Sequence, residues 1–273
     1  MSQTPTLQQL QDQDQVISIG KNYIPDGEMQ LRNTIYSVFQ TDNTDDSDSF
    51  LLAEGVLWSL GELINNANKA NNRWALLENA LIQRIMVEDP TRDKDVVLED
   101  VQSAIQNNQT DILKQYGLDT IDLTASILKL IEKHRTNSFA LSEKFRKEIT
   151  LTMRIQNKSE QRILVVNVIN NSPITVIDRE RVEYNLEKIK EDLIEAGSKP
   201  FEAAVNLYEK SEDHRGGGFG AGLRSIILFL KAGYDPFKVE IVFSRLVRYR
   251  SAVNSTIFTL EIPIPAQKKA NTN

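Results

Sequence analysis

The chain has 273 residues, 40% of them hydrophobic and 26% charged, with a net charge of −6 and no cysteine. That composition supports a globular core and excludes disulfides, thiolate nucleophiles and thiolate metal sites. The acid excess argues against a nucleic-acid binder, which needs a concentrated basic surface, and two histidines, His134 and His214, are too few for a histidine metal cluster.

No run of about 18 apolar residues could cross a bilayer. The first residues, MSQTPTLQQLQDQDQ, lack the basic start and apolar stretch of a secretory signal, so a cytoplasmic protein is expected, with no membrane partner. Residues 1–14 read as a frayed lead-in, and Gln15-Val16-Ile17-Ser18-Ile19 alternates like a short strand. A helix is expected over 27–40, followed by the polar loop TDNTDDSDS at 41–49, in which Asp48 or Ser49 can cap the next helix. From Phe50, Leu52, Val56, Leu60, Leu63, Ala67 and Ala70 recur at helical spacing and form a core-facing stripe. Glu62, Asn66 and Lys69 share a second, polar face of that helix.

Residues 74–148 are expected to be mostly helical, with segments at 74–87, 96–107, 110–116 and 121–134 and a break at Asp89-Pro90. The runs ITLTMRIQ and RILVVNVIN then predict a hairpin turning at 157–160, and Asn170-Asn171-Ser172-Pro173 ends its second strand. A charged helix follows over 175–196, whose Arg179, Arg181, Lys188 and Lys190 are expected to face solvent. A break at 197–200 and a short helix through Tyr208 come next. The glycine segment 216–222 leads into an apolar helix at 223–231, and KVEIVFSRLVRY and STIFTLEIPIP predict two closing strands. This order favours an α+β fold with a mixed sheet over a doubly wound parallel one.

Two segments carry groups suited to chemistry. Glycines let a backbone approach a phosphate closely, and a helix N-terminus offers unpaired N–H groups; Gly216 to Gly222 precede such a helix. No Gly-Lys-Ser/Thr follows, so the segment is not a P-loop, and no strand leads into it as in a Rossmann fold. On the earlier helix, the Asn66 carbonyl suits Mg2+, the Glu62 carboxylate can orient or deprotonate a water or hydroxyl, and the Lys69 ammonium can meet phosphate oxygens.

The string Glu62-Leu63-Ile64-Asn65-Asn66-Ala67-Asn68-Lys69-Ala70 resembles the N box of the ATPases shared by sensor histidine kinases, type II topoisomerases and the large heat-shock chaperones. Gly218-Phe219-Gly220-Ala221-Gly222-Leu223 resembles the second glycine box of the same superfamily, and the two stand in the family's order. The resemblance implies a histidine-kinase-like two-layer α/β sandwich over 50–265. Within it lie a helical insertion at about 75–148 and an ATP lid at about 175–217, between an extension at 1–49 and a tail at 266–273. It further implies ATP and Mg2+ as ligands: Asn66 binds the metal, Glu62 acts as general base or water-orienting group, Lys69 approaches phosphates, and Gly218, Gly220, Gly222 and Leu223 hold the triphosphate. Asn170 stands where the family has the Asp that accepts the adenine amine, without the two glycines that follow that Asp. Thr256 falls on a closing strand where the family's Thr lies near phosphate, and His214 and Arg215 are placed to reach a γ-phosphate from the lid.

The 50 or so residues before the N box hold no histidine, and His134 lacks the sequence setting of a phosphoacceptor. The expectation is thus a stand-alone ATP-binding domain without dimerisation and phosphoacceptor elements. It would transfer the γ-phosphoryl group to a separate protein, such as a response regulator or a sigma-factor pathway component, or bind that protein under ATP control. An anti-sigma-type serine kinase and a non-catalytic nucleotide switch are the alternatives.

Overall fold

The computed structural model describes residues 15–19, 25–39, 47–106, 147–158, 161–172, 174, 176–196, 202–203, 221–234, 247–252 and 255–265. Ten elements follow in order: β1 (Gln15–Ile19), α1 (Pro25–Phe39), α2 (Ser47–Glu88), α3 (Lys94–Gln106), β2 (Ile149–Lys158), β3 (Gln161–Asn170), α4 (Val176–Ala196), α5 (Ala221–Tyr234), β4 (Val247–Ala252) and β5 (Ser255–Ile264). The class is α+β, as expected. Pro25 opens α1, where a missing N–H costs nothing. Asp93 caps α3 by accepting the Asp95 N–H at 2.9 Å.

The strands form one sheet in the order β1-β2-β3-β5-β4. Every pairing among the described strands is antiparallel, which corrects the mixed sheet expected from the sequence. The reason lies in the connections. β2–β3 and β4–β5 are hairpins, and the chain returns from α4, α5 and β4 so that β5 starts beside the residue where β3 ends, Asn170 opposite Thr256.

Alternation along the strands puts one row of side chains on the helix side. Leu151, Met153 and Ile155 of β2, Leu164, Val166 and Val168 of β3, and Leu260, Ile262 and Ile264 of β5 share a core with Leu31, Ile35 and Val38 of α1, Leu52 to Ile64 of α2, Val182 of α4, and Leu230 and Tyr234 of α5. The opposite face carries a hydrogen-bonded polar row: Asn167 Nδ2 donates to Thr152 Oγ1 (2.9 Å), and Thr259 Oγ1 donates to Asn167 Oδ1 (2.8 Å). No helix of the described residues is long and apolar enough to cross a membrane.

Two separate helices were expected on either side of residue 74. Instead α2 runs unbroken for 42 residues, about 63 Å at 1.5 Å per residue. Nothing between Asn66 and Trp74 is a helix breaker, and the stop comes only at Asp89-Pro90, where Asp89 Oδ1 accepts the Thr91 N–H at 3.1 Å. The insertion expected from residue 75 therefore begins as the second half of the helix that carries Glu62 and Asn66.

That second half is tied down by polar groups on the core-facing stripe. Asn71 Nδ2 donates to the Glu148 carbonyl (3.3 Å), and Glu78 pairs with Lys147 at 2.6 Å, both side chains almost fully buried. Residues 147 and 148 lead directly into β2, so these contacts fix how far α2 can slide along the sheet.

The charged segment 176–196, expected as the first part of a lid, is a helix packed on α5 with Val182 fully buried in the shared core. Lys188 bonds Glu191 (2.5 Å) on its solvent side, as a solvated face should. Arg179 departs from that expectation: it is partly buried, with an Nε that has no partner among the described residues. The segments expected at 110–116, 121–134 and 197–200, together with His134, lie outside the described residues, and of the short helix expected through Tyr208 only 202–203 are described, as helix.

The tightest packing joins α2 to α5. A Cβ on Gly233 would stand 2.9 Å from the Leu52 Cα, and one on Gly55 would stand 3.2 Å from the Phe229 carbonyl oxygen. Trp58 lies beside Phe229 with ring centroids 4.1 Å apart. At its C-terminal end α5 is pinned to β5, where the buried Tyr234 hydroxyl donates to the Pro263 carbonyl.

Gly233→Ala is expected to lower stability by about 1–3 kcal/mol through overpacking. Gly61→Ala, where nothing lies within 4 Å of the added Cβ, is expected to raise it by about 0.5–1 kcal/mol through helix propensity. Urea denaturation of both variants checks the pair; equal effects would show that α2 and α5 are not held at backbone distance.

Candidate functional site

The contacts at Gly55 and Gly233 set the direction and level of α5 against α2. Leu52 meets Gly233 and Gly55 meets Phe229, so the helices run antiparallel, α5 descending as α2 ascends. Continuing at one residue per residue, Glu62 lies seven places beyond Gly55, level with Gly222, seven places before Phe229. The first turn of α5 thus stands beside the Glu62 turn of α2.

The faces agree as well. At 100° per residue, Glu62 and Asn66 lie within about 20° of the Gly55 direction, the side of α2 turned to α5. Lys69 follows one turn on, exposed. Packing therefore turns the Glu62–Asn66 side of α2 toward α5. Gly222 and Leu223 lie in the first turn of α5, whose leading N–H groups have no intrahelical acceptor and which holds no acidic residue. Arg215, His214, Gly218 and Gly220 lie outside the described residues.

Asn66 is 6% exposed, and its Oδ1 is buried with no hydrogen-bond partner among the described residues. An orphaned acceptor of this kind costs about 1–3 kcal/mol unless an ion, water or ligand answers it. This hard amide oxygen fits Mg2+, which takes few protein ligands and keeps waters or phosphate oxygens for the rest. Among the described residues no cluster of three or more Asp, Glu or His side chains offers an alternative metal cage.

Glu62 is partly buried, and that burial raises its carboxyl pKa; the Lys69 ammonium and a hydrogen bond from Asn65 pull the other way. A carboxyl held above its usual range, beside a cation and a metal-ready oxygen, is the pattern of a group that handles protons.

Asn170 and Thr256 are also brought together, at the end of the sheet below this part of α2. They are paired across β3 and β5 in the row Ile149–Asn170–Thr256, at the polar end of the core-facing stripes. Asn170 Oδ1 accepts the Thr256 N–H (3.1 Å), and Thr256 Oγ1 donates to the Ser172 carbonyl (2.9 Å). That last bond bears on the sequence expectation. With its proton held by Ser172, the Thr256 hydroxyl has none left for a phosphate, so Thr256 groups with Asn170 rather than with the triphosphate residues.

Two residues at this end escaped the sequence reading. Asn71, 2% exposed, links α2 to Glu148, whose N–H donates to Asn171 Oδ1 (2.7 Å) and whose carbonyl accepts the Asn171 N–H (3.2 Å). The signal was present: Asn71 falls on the apolar stripe of Leu60, Ile64 and Ala67, where a polar residue needs a reason. Ser172, fully buried with an Oγ that has no partner among the described residues, gave no such signal, because it follows the strand in a segment of turn-forming residues.

No protein-family model, curated protein or solved structure matches the chain.

Because burial raises the Glu62 pKa, the folded carboxyl keeps a proton that the unfolded one has lost, and stability falls as pH rises through that interval. Glu62→Gln is therefore expected to match the parent below about pH 4 and to melt higher above it, the gap levelling off once Glu62 is ionised in the folded state. Thermal denaturation across pH 4–8 checks this, and a pH-independent difference would refute the burial of that carboxyl.

Proposed function

We propose that the chain is a Mg2+-dependent ATP-binding protein of the histidine-kinase-like type, acting on a separate protein partner in the cytoplasm. The observation that carries the reading is the buried, unpartnered Asn66 Oδ1. It lies on the same stripe of α2 as Glu62, on the side of that helix turned to α5. The resemblance of Glu62 to Ala70 and of Gly218 to Leu223 to that superfamily's boxes supports the reading, as does a layer of helices sharing one core with one face of a sheet.

In this reading Asn66 Oδ1 holds Mg2+, and the first-turn N–H groups of α5 with the preceding glycines hold the phosphate chain. Lys69 adds a mobile positive charge beside them. Mg-ATP supplies the γ-phosphoryl group and most of the charge that must be neutralised for transfer. Glu62 receives the proton of the attacking hydroxyl or water, a role its raised pKa suits. Asn170 meets the base from the sheet end, and α4, which packs on the core, is no part of a lid. The acceptor is a side chain of the partner protein.

Saturating Mg-ATP is expected to raise the melting temperature by about 5–10 °C at a hundredfold excess over Kd. Asn66→Ala should abolish that shift, while the melting temperature without ligand stays level or rises, because the substitution removes an orphaned acceptor and improves helix propensity. Glu62→Ala should keep the shift and lose transfer or hydrolysis of labelled γ-phosphate. No shift with any nucleoside triphosphate would overturn the proposal, and binding without turnover in the parent protein would reduce it to a nucleotide-dependent switch.

A further inference from the structure

Unpaired polar groups are concentrated at one end of this molecule. Asn66 Oδ1, Asn71 Oδ1, Trp74 Nε1, Ser172 Oγ and Arg179 Nε are all buried with no hydrogen-bond partner among the described residues. Their elements meet where β3 ends. Asn170 is paired with Ile149 and Thr256, Ser172 follows it closely, and Asn71 of α2 bonds the Glu148 carbonyl immediately before β2. α4 leaves the same end at Val176. The last residue of α5, Tyr234, is fastened to Pro263, at the other end of β5 from Thr256, so α5 also begins on this side.

Arg179 is the cation of that group. It stands in the first turn of α4, on the side that carries the buried Val182 and Asn185. A guanidinium keeps its charge in a protein, so an Nε–H taken out of water without an acceptor is a cost the group cannot escape by losing its proton. The neighbouring Glu180 and Glu183 are exposed, and among the described residues no carboxylate bonds Arg179. Arg162, another guanidinium with buried unpartnered nitrogens, stands at the far end of β3, opposite Ile264.

We propose that Arg179 binds the phosphate chain of the nucleotide. The inference rests on the nucleotide-site reading above and adds the residue that meets phosphate from α4, the helix packed on α5. In that reading the metal held by Asn66 offsets only part of the charge of a triphosphate, and the first-turn N–H groups of α5 bring partial charges alone. A planar guanidinium on the buried side of α4 supplies a full charge that no internal carboxylate has taken, with donors that match phosphate oxygens. Because Arg179 has no polar partner of its own among the described residues, removing its charged head takes no internal bond from the fold. That separates a ligand-binding role from a structural one.

Isothermal titration calorimetry of the full chain with Mg-ATP tests this in the parent protein, Arg179→Met and Arg179→Lys, with each melting temperature measured without nucleotide. Met keeps an apolar stem and removes the charged head. Arg179→Met is expected to bind Mg-ATP about tenfold or more weakly, as the loss of a charge-assisted hydrogen bond requires, while its melting temperature stays level or rises. Arg179→Lys, which keeps the charge, is expected to bind with an affinity between those two. Equal affinity in the parent and in Arg179→Met would overturn the inference while leaving the nucleotide site standing. So would a lowered melting temperature in both variants with binding weakened equally in each, which would show that the guanidinium holds α4 in place. If the parent protein does not bind Mg-ATP, the nucleotide reading itself falls, and this inference with it.

Discussion

Two helices lying at backbone distance set the geometry of the whole candidate site. Gly55 and Gly233 put no side chain of their own between α2 and α5, so the Phe229 carbonyl and Leu52 come directly against their backbone. Helices packed that closely cannot rotate or slide freely without meeting Cβ atoms. Trp58 and Phe229 fill the flank, and Tyr234 fastens the far end of α5 to β5. From that one interface follow the antiparallel direction of the pair and the turning of the Glu62–Asn66 side of α2 toward α5. A glycine-rich segment followed by a helix has no function of its own. It becomes a candidate anion site when another element brings a metal-ready oxygen and a carboxyl beside it.

A second constraint acts along the axis of α2. Asn71 and Glu78 are seven residues apart on the stripe that otherwise carries Leu60, Ile64 and Ala67, and they engage Glu148 and Lys147 in turn. A buried ion pair is weak evidence for added stability, because desolvation offsets most of its attraction, but it is demanding about position. Here it fixes α2 against the strand that begins one residue later. Asn66 is thereby held at a set distance from the sheet end where Asn170, Ser172 and Thr256 meet. In the proposed site these two restraints define the two ends of a ligand: the α2–α5 interface the phosphate end, and the Asn71–Glu148–Asn171 connection the base end.

Much of the secondary structure was legible because its signals are local. The alternation of Gln15 to Ile19, the hairpin runs around 157–160, and the apolar stripe from Leu52 to Ala70 each report their own conformation within a few residues. Glu62 and Asn66 were legible as a polar face for the same reason. What could not be read was anything requiring a second element. The continuity of α2 through residue 74 depended on the absence of a breaker, a weak signal against the habit of helices to be shorter. The antiparallel sheet depended on where a long connection returns the chain. The bond from the Thr256 hydroxyl to the Ser172 carbonyl joins residues 84 apart in the chain.

The sequence alone determined which residues could do chemistry: an amide and a carboxyl one turn apart on α2, and glycines ahead of an apolar helix. These follow from helical periodicity and from the backbone freedom of glycine, both properties of the chain itself. Only the tertiary structure decided that the Glu62–Asn66 side of α2 turns to α5, that Asn66 Oδ1 is buried without a partner among the described residues, and that Asn170 turns its oxygen to β5. The reason is physical. Burial and hydrogen-bond pairing are relations between segments distant in the chain, 86 residues apart for Asn170 and Thr256, and no local pattern encodes which partner a buried polar group will find.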